Sequence, residues 1–219
     1  MKKGEKLDII YEDKDFLVVN KPAKLLTIST DNEKENTLFH KVIKYVKKKN
    51  QKIFIVHRLD KDTSGIVVFA KSENLKRRLQ DNWDKLVKVR EYVAVVEGFP
   101  KEEKGTIHSW LKETKTLYVY SSDKKGDGKE ALTNYRVVTS NKTYTMLAIT
   151  IETGRKNQIR VHMKDLGCPI VGDKKYEAKT NPINRMALHA NKLVMINPIN
   201  NKEMLFETDI PNTFINLVK

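Results

Sequence analysis

Short apolar runs separated by charged turns make up much of the chain. Leu7 to Tyr11 and Phe16 to Asn20 are two such runs on either side of Glu12 to Asp15. Lys21-Pro22 ends the second run, because proline has no backbone N–H for a strand ladder. This pattern predicts a β-hairpin at the start of the chain. Further runs of this kind predict strands at Ile53 to Val56, Ile66 to Ala70, Val89 to Glu97, Gly105 to Leu111, Leu117 to Ser121, Tyr135 to Val138 and Tyr144 to Glu152.

Three segments have helical spacing instead. Leu38 to Lys49 places apolar residues on one face and lysines on much of the opposite face. Ser72 has the side chain of an N-cap for a helix that continues to Asn82, and Gln158 to Leu166 forms a third helical pattern. Together with the strands, these segments predict an α+β or mixed α/β fold with a largely antiparallel mixed sheet flanked by helices.

No linker, internal repeat or low-complexity tract divides the sequence. A chain of 219 residues with 39% hydrophobic content is long enough to bury a sizeable core. The Lys-Gly-Asp-Gly-Lys stretch at 125 to 129 predicts a mobile loop and no domain boundary. We therefore expect residues 1–219 to form one domain.

Charge and cysteine content narrow the class of protein. The 42 Lys+Arg against 28 Asp+Glu give a net charge of +14, which favours a polyanionic partner, although lysine-rich surfaces also serve solubility alone. A single cysteine, Cys168, excludes an internal disulfide framework and a multi-cysteine metal site. The N-terminal lysines are not followed by the apolar run of a signal peptide, and no segment approaches membrane-spanning length. We expect a cytoplasmic protein with no membrane partner.

The stretch His57 to Gly65 concentrates polar side chains between two predicted strands. A local turn accounts for Asp62, Thr63 and Ser64, whose side chains bond nearby backbone, and for Gly65, which supplies an unusual dihedral angle. It does not account for Arg58 and Asp60. Connections between buried strands are common positions for functional residues, so these two side chains are candidates for chemistry.

A second polar cluster, Thr153 to His162, follows a predicted strand and opens a helix. A glycine turn before a basic helix start favours anions, since backbone N–H groups and the helix dipole both attract them. A capped helix with solvated arginines is an equal alternative. A guanidinium beside a carboxylate holds it ionised and oriented, which is a role for Arg160 next to Asp60. Tyr92 lies in a predicted strand, and this position alone indicates a core residue.

Five groups of residues match the motifs of one family in that family's order. The groups are His57-Arg58-Leu59-Asp60 with Thr63-Ser64-Gly65, Tyr92 in a strand that ends at Gly98, Thr153-Gly154-Arg155 with Gln158-Ile159-Arg160-Val161-His162, Gly167 to Asp173, and Arg185 to Ala190. The first hairpin extends the match. The chain thus resembles the RluA-type pseudouridine synthases over nearly its whole length.

The chain departs from the family's common pattern at three places. Lys156-Asn157 stands where many relatives have Thr-His, Arg90 stands where lysine is common, and Asn197-Pro198 replaces a frequent His-Pro. None of these changes removes a residue to which we assign chemistry. The catalytic hairpin begins within the first ten residues, so we expect residues 1–219 to be one pseudouridine synthase catalytic domain without the S4 RNA-binding domain of many relatives.

The resemblance implies the pseudouridine synthase fold with a central active-site cleft, and isomerisation of uridine in structured RNA. It implies Asp60 as the essential carboxylate, which attacks the ribose or the base or assists departure of the base. Arg160 would keep Asp60 ionised, while Tyr92 would stack on the uracil and take a proton. Base extrusion would involve Arg58. RNA or base contacts are further assigned to His57, Thr63, Arg155, Gln158 and Leu188.

The implied reaction consumes no redox equivalent, nucleotide or metal. We accordingly expect no cofactor and no metal site, which fits the absence of a P-loop, a dinucleotide fingerprint and metal-ligand spacing among the five histidines. The expected partner is a stem-loop of ribosomal or transfer RNA, and the expected oligomeric state is a monomer.

Two other classes of function compete with this one. A non-catalytic RNA-binding or ribosome-assembly protein could keep the fold, but binding alone has no need for Asp60, Tyr92 and Arg160 together. A metal-dependent nuclease could use Asp60, Asp62 and a histidine, and its activity would depend on the metal.

Overall fold

The computed structural model describes residues 7–31 and 33–219. Met1 to Lys6, part of the N-terminus for which we predict no signal peptide, lie outside the described residues. The strands are β1 (Ile9–Glu12), β2 (Phe16–Lys21), β3 (Phe54–Ile55), β4 (Ser64–Ala70), β5 (Val87–Glu97), β6 (Lys104–Glu113), β7 (Val119–Ser122), β8 (Lys129–Ser140), β9 (Tyr144–Ile151), β10 (Leu188–Ile196) and β11 (Glu203–Glu207). The α-helices are α1 (Leu38–Lys47), α2 (Glu73–Asp81), α3 (Trp83–Leu86), α4 (Gln158–Asp165) and α5 (Asn212–Leu217), and a 3₁₀ turn covers Lys174–Tyr176.

Most elements predicted from the hydrophobic pattern are present. The first hairpin is antiparallel, with Tyr11 opposite Val18. Helix α1 ends two residues before the predicted Lys49, and Ser72 caps α2 through a hydrogen bond from the Leu75 N–H to its hydroxyl (3.2 Å). The predicted strand at Ile53 to Val56 shortens to the two residues of β3. Strands β10 and β11 and helices α3 and α5 were not predicted.

The chain divides into two compact units. The first comprises the described part of Met1–Lys88 together with Asn191–Thr208, and the second comprises Val89–Ala190 together with Asp209–Lys219. Two of the boundaries between the units fall inside strands: one between Lys88 and Val89 in β5, and one between Ala190 and Asn191 in β10. The prediction that residues 1–219 form one catalytic domain stays a prediction.

The first unit is built on the antiparallel pair of β2 and β4. Their register places Val18 opposite Val68 and Lys21 opposite Gly65, while β1 and β3 pair with β2 and β4 respectively. Every residue of β4 is buried, as a run of β-branched and aromatic residues predicts for a strand covered on both faces. Helix α2 packs Leu75 and Leu79 into this core.

The second unit is an antiparallel sheet in the order β5-β9-β8-β6-β7. Its core lies around the buried centres of β5 and β9, where Val95 and Leu147 are fully buried. Helix α4 adds Ile159 and Met163 to this core, and α5 adds Phe214. The pairs β1–β2 and β2–β4 of the first unit and β5–β9 and β8–β9 of the second are antiparallel, which confirms the predicted α+β class with a largely antiparallel sheet. Within the described residues no helix is both long and apolar enough to cross a membrane.

Candidate active site

The Asp60 loop, defined as residues 56–63, connects β3 to β4 in the first unit. The side chain of Asp60 is half-buried, and its backbone carbonyl accepts a hydrogen bond from the Thr63 N–H (3.2 Å), which closes a turn. Gly65 has φ = 119°, so the predicted unusual dihedral is confirmed. The turn therefore presents a carboxylate at the end of a fully buried strand.

The residues on both sides of Asp60 are held by one segment, which we name the strap and define as residues 21–27. Lys21 is fully buried, and its ammonium group donates to the carbonyl of Lys61 (3.0 Å) and to the carbonyls of Pro22 and Leu25 (3.1 and 2.7 Å). These charge-assisted hydrogen bonds fix the chain directly after Asp60. The sequence analysis identified Lys21 only as the residue at which a predicted strand ends.

The other end of the strap contacts the residue directly before Asp60. The hydroxyl of Thr27 donates to the carbonyl of Leu59 (2.7 Å) and accepts from the N–H of Leu59 (3.2 Å). Thr27 is 3% exposed. The sequence analysis did not identify this residue, since a threonine in an apolar run resembles an ordinary strand residue.

His57 joins the start of the Asp60 loop to β4. In the register of β3, Ile55 lies opposite Phe69, so Val68 is the next residue that a longer β3 would meet. The N–H of Val68 instead donates to Nε2 of His57 (3.0 Å), and the ring lies against Trp83 (4.8 Å between centroids). A nitrogen that accepts a hydrogen bond carries no proton, so this contact requires the neutral ring.

The two other residues assigned to this loop differ in exposure. Arg58 is exposed, whereas Thr63 is 3% exposed at the start of β4. The first unit therefore brings together four of the predicted residues: His57, Arg58, Asp60 and Thr63. An exposed arginine two residues from a half-buried carboxylate suits contact with a large polyanion.

Arg160 lies on α4 in the second unit and is 9% exposed. Its guanidinium makes a bidentate ion pair with Asp173, with Nε to Oδ2 and Nη2 to Oδ1 both 2.7 Å. A third N–H group donates to Oδ1 of Asn157 (3.2 Å), and the group lies 4.9 Å from the centroid of the Tyr176 ring. The alternative of solvated arginines is therefore wrong for Arg160. Arg155 is exposed, and its predicted contact with RNA stays a prediction.

Asp173 is the partner of Arg160 in this ion pair, and the sequence analysis assigned it no role. It lies in the Gly167 to Asp173 match, but it is 13 positions after Arg160 and no periodicity connects them. Its side chain is 2% exposed. Gly172, directly before it, has φ = 80°, and a Cβ at this position would collide with the carbonyl oxygen of Arg185. Glycine is therefore required for the turn that presents Asp173.

Gln158 organises the turn before α4. It is 3% exposed; its Oε1 accepts from the Thr153 hydroxyl (2.7 Å) and the Arg155 N–H (3.0 Å). Its Nε2 donates to the Leu132 carbonyl and the Thr133 hydroxyl, both at 3.0 Å. These contacts give Gln158 a structural role, and its predicted contact with RNA stays a prediction.

Tyr92 and Leu188 also lie in the second unit. Tyr92 is half-buried in β5 opposite Ile149 and packs against the core of this unit. Leu188 is 3% exposed at the start of β10. Their assigned contacts with the uracil, and the pairing of Arg160 with Asp60, stay predictions.

Two histidines of the second unit are buried and electrically neutral near pH 7. Burial lowers the pKa of His162 to about 4, and its ring nitrogens contact the hydroxyls of Ser109 (2.9 Å) and Thr133 (2.8 Å). Burial, together with the nearby Arg185, lowers the pKa of His189 to about 4. His162, which belongs to the family match, is thus a buried residue that joins the hydroxyls of Ser109 and Thr133.

Metal-assisted chemistry was the basis of one competing interpretation. Among residues 7–31 and 33–219, no three His, Cys, Asp or Glu side chains lie close enough together to form a metal-binding group. The predicted independence from metal stays a prediction that activity in the presence of a chelator can test.

Comparison with known proteins identifies the family. Residues 15–165 match the family model for RNA pseudouridylate synthase. The chain is 35% identical to the uncharacterized RNA pseudouridine synthase YhcT of Bacillus subtilis, over 97% of this chain and 72% of the relative. It is 33% identical to ribosomal large subunit pseudouridine synthase D of Salmonella typhimurium, over 97% of this chain and 69% of the relative.

Solved structures agree with this identification. Human RNA pseudouridylate synthase domain containing 1 superposes with a TM-score of 0.78 and 26% identity, over 96% of this chain and 87% of the other. Human RNA pseudouridylate synthase domain containing 4 has the same fold, with a TM-score of 0.78. The chain therefore belongs to the RluA-type RNA pseudouridine synthases, isomerases that convert uridine to pseudouridine in RNA.

Proposed function

We propose that Asp60 is the essential carboxylate of this isomerisation. The reaction breaks the N1–C1′ bond of uridine, turns the uracil, and joins C5 to C1′; C5 then loses its proton and N1 gains one. The observation that carries the proposal is the support of the Asp60 loop. Lys21 holds the residue after Asp60 and Thr27 holds the residue before it. Such fixed backbone around a half-buried carboxylate suits a group that must meet a reacting atom in one orientation.

Arg160 has the role of keeping Asp60 ionised and oriented. Its contacts with Asp173 and Asn157 hold the buried guanidinium in one position. Arginine is suited to this role because its planar group keeps its charge even when buried. Tyr92 has the role of stacking on the uracil and taking a proton during the rearrangement.

RNA is the substrate, and we propose a structured stem-loop as the site. The net charge of +14 suits a polyanion. A base inside a stem must leave the stack, at a cost of a few kcal/mol, before Asp60 reaches it, and the exposed Arg58 has the role of keeping it extruded. We propose ribosomal RNA as the substrate class, supported by the name of the relative from Salmonella typhimurium, with transfer RNA as the alternative. A monomer suffices for these roles.

The test of the catalytic role compares Asp60→Asn with Asp62→Asn. Both variants remove one negative charge from the same loop, but only Asp60 has an assigned chemical role. We expect Asp60→Asn to abolish tritium release from RNA that contains 5-tritiated uridine and to keep its affinity for that RNA, while Asp62→Asn stays active. Affinity must be compared at one salt concentration, since phosphate contacts make binding salt-dependent. Turnover by Asp60→Asn at the parent rate would disprove the role of Asp60.

The substrate class is tested separately. Pseudouridines are mapped in total RNA from a strain that lacks the gene and from its parent. Loss of one or a few pseudouridines in ribosomal RNA supports the proposal. Loss confined to transfer RNA would move the substrate to the alternative class without changing the role of Asp60.

A further inference from the structure

Thr27 forms a two-way contact with the backbone of one residue. Its hydroxyl donates to the Leu59 carbonyl and accepts from the Leu59 N–H, at 2.7 and 3.2 Å. Thr27 is 3% exposed and Leu59 is 8% exposed, so water has little access to these bonds. A single hydroxyl therefore satisfies both polar backbone groups of the residue that precedes Asp60.

Thr27 itself is anchored to a helix. Its backbone carbonyl accepts from the N–H of Phe39 (3.0 Å), and the Leu26 carbonyl accepts from the N–H of Leu38 (2.8 Å). These two N–H groups belong to the first turn of α1, where no partner within the helix exists. Thr27 thus links the first turn of α1 to the Asp60 loop.

We infer that Thr27 is a positioning residue for Asp60. The inference rests on the proposed role of Asp60 in the reaction. Lys21 restrains Lys61, the residue after Asp60, but its ammonium group also bonds to Pro22 and Leu25 within the strap. In the hydrogen bonds described above, the hydroxyl of Thr27 contacts Leu59 alone. Loss of the hydroxyl frees the preceding residue to move, and displacement of a catalytic group by about 1 Å can lower a rate by about 100-fold.

Thr27→Val is the test variant, because valine has nearly the shape of threonine without its hydroxyl. Thr27→Ser restores the hydroxyl and removes only a methyl group. Thr145→Val is the matched control: Thr145 is 1% exposed and donates to the Gly98 carbonyl at 2.7 Å, in the second unit. Thr27→Val and Thr145→Val each remove a buried hydroxyl that donates to a carbonyl, but only the first acts next to Asp60.

We expect Thr27→Val to lower the single-turnover rate at saturating enzyme by about 10- to 100-fold, with unchanged affinity for RNA. Thr27→Ser should recover most of the rate. Thr145→Val should lose a similar amount of thermal stability and keep the parent rate. If Thr27→Val does not give a folded protein by circular dichroism, Thr27→Ala replaces it, since a cavity there leaves room for water against Leu59.

Three outcomes would overturn the inference: Thr27→Val at the parent rate, Thr27→Ser as slow as Thr27→Val, or an equal loss of rate in Thr145→Val. Asp60→Asn is measured in the same assay. An inactive Asp60→Asn with a fully active Thr27→Val contradicts the positioning role alone. A fully active Asp60→Asn contradicts the proposed function itself.

Discussion

The ion pair between Arg160 and Asp173 predicts a large loss of stability in Asp173→Asn. The two side chains are 10% and 2% exposed and share two hydrogen bonds of 2.7 Å. The substitution removes the negative charge of Asp173 and one of the two acceptors that it offers to the buried guanidinium. Removal of one member of a buried ion pair costs about 3–5 kcal/mol, because the remaining charge stays away from water.

The consequence for the whole protein follows from ordinary stability values. A typical free energy of unfolding is about 5–15 kcal/mol, so this loss is a substantial part of the total. For a chain of this size, about 1 kcal/mol corresponds to roughly 2–4 °C in the unfolding midpoint. We therefore expect Asp173→Asn to lower the midpoint by roughly 6–20 °C.

A matched control distinguishes burial from charge. Glu73 pairs with Arg77 on α2 at 2.7 Å, but these side chains are 56% and 69% exposed. Exposed pairs of this kind contribute less than about 1 kcal/mol. Glu73→Gln should therefore leave the midpoint almost unchanged in the same thermal and urea unfolding experiments.

Equal midpoints for Asp173→Asn and the parent would refute the reasoning. That result would mean that the guanidinium finds compensating contacts or water after the charge is lost. A fall of the same size in Glu73→Gln would also refute it, since burial would then not decide the energy.

Two further predictions concern pH and stability. The pKa of His162 and that of His189 are about 4 in the folded chain, against 6.5 as the ordinary value, so the unfolded chain takes up protons first as the pH falls. Stability should therefore decline from about pH 6.5 towards pH 4, by up to about 3 kcal/mol for each ring; urea unfolding that is independent of pH over this range would contradict it. Partial burial raises the pKa of Glu12, but bonds from Lys71, Tyr45 and Lys49 outweigh it and lower this pKa from 4.5 to about 2. Its stabilisation is present above about pH 4.5 and is lost towards pH 2, so Glu12→Gln should cost about 1–3 kcal/mol at pH 7 and show a weaker acid dependence than the parent below pH 4.5.

The sequence predicted those strands and helices in which the apolar residues of the element itself form a regular pattern. The run Ile66 to Ala70 is continuous and apolar, and all five of its residues are buried in β4. Strand β10 was missed because His189, Asn191 and Lys192 interrupt its apolar residues. In the structure, the polar His189 is 2% exposed, so burial there does not follow the hydrophobic pattern.

The residues of the candidate site also fall into two groups, those that the sequence predicted and those that it missed. Asp60, Tyr92 and Arg160 were assigned because they lie in family motifs, whereas Asp173 and Thr27 were missed because their contacts join distant positions. Thr27 lies 32 residues from Leu59. No spacing rule reports such a contact, because it arises only when the strap folds against the Asp60 loop.

The burial of Lys21 also determines when its amine can be modified. Acylating reagents and acetyl donors reach lysines at the surface, but the folded chain encloses this side chain completely. Acylation of Lys21 therefore requires that this part of the chain be unfolded or locally open. An acylated Lys21 would show that this segment had been open in that molecule. The carbonyls of Pro22, Leu25 and Lys61 would then lack the ammonium group that joins them.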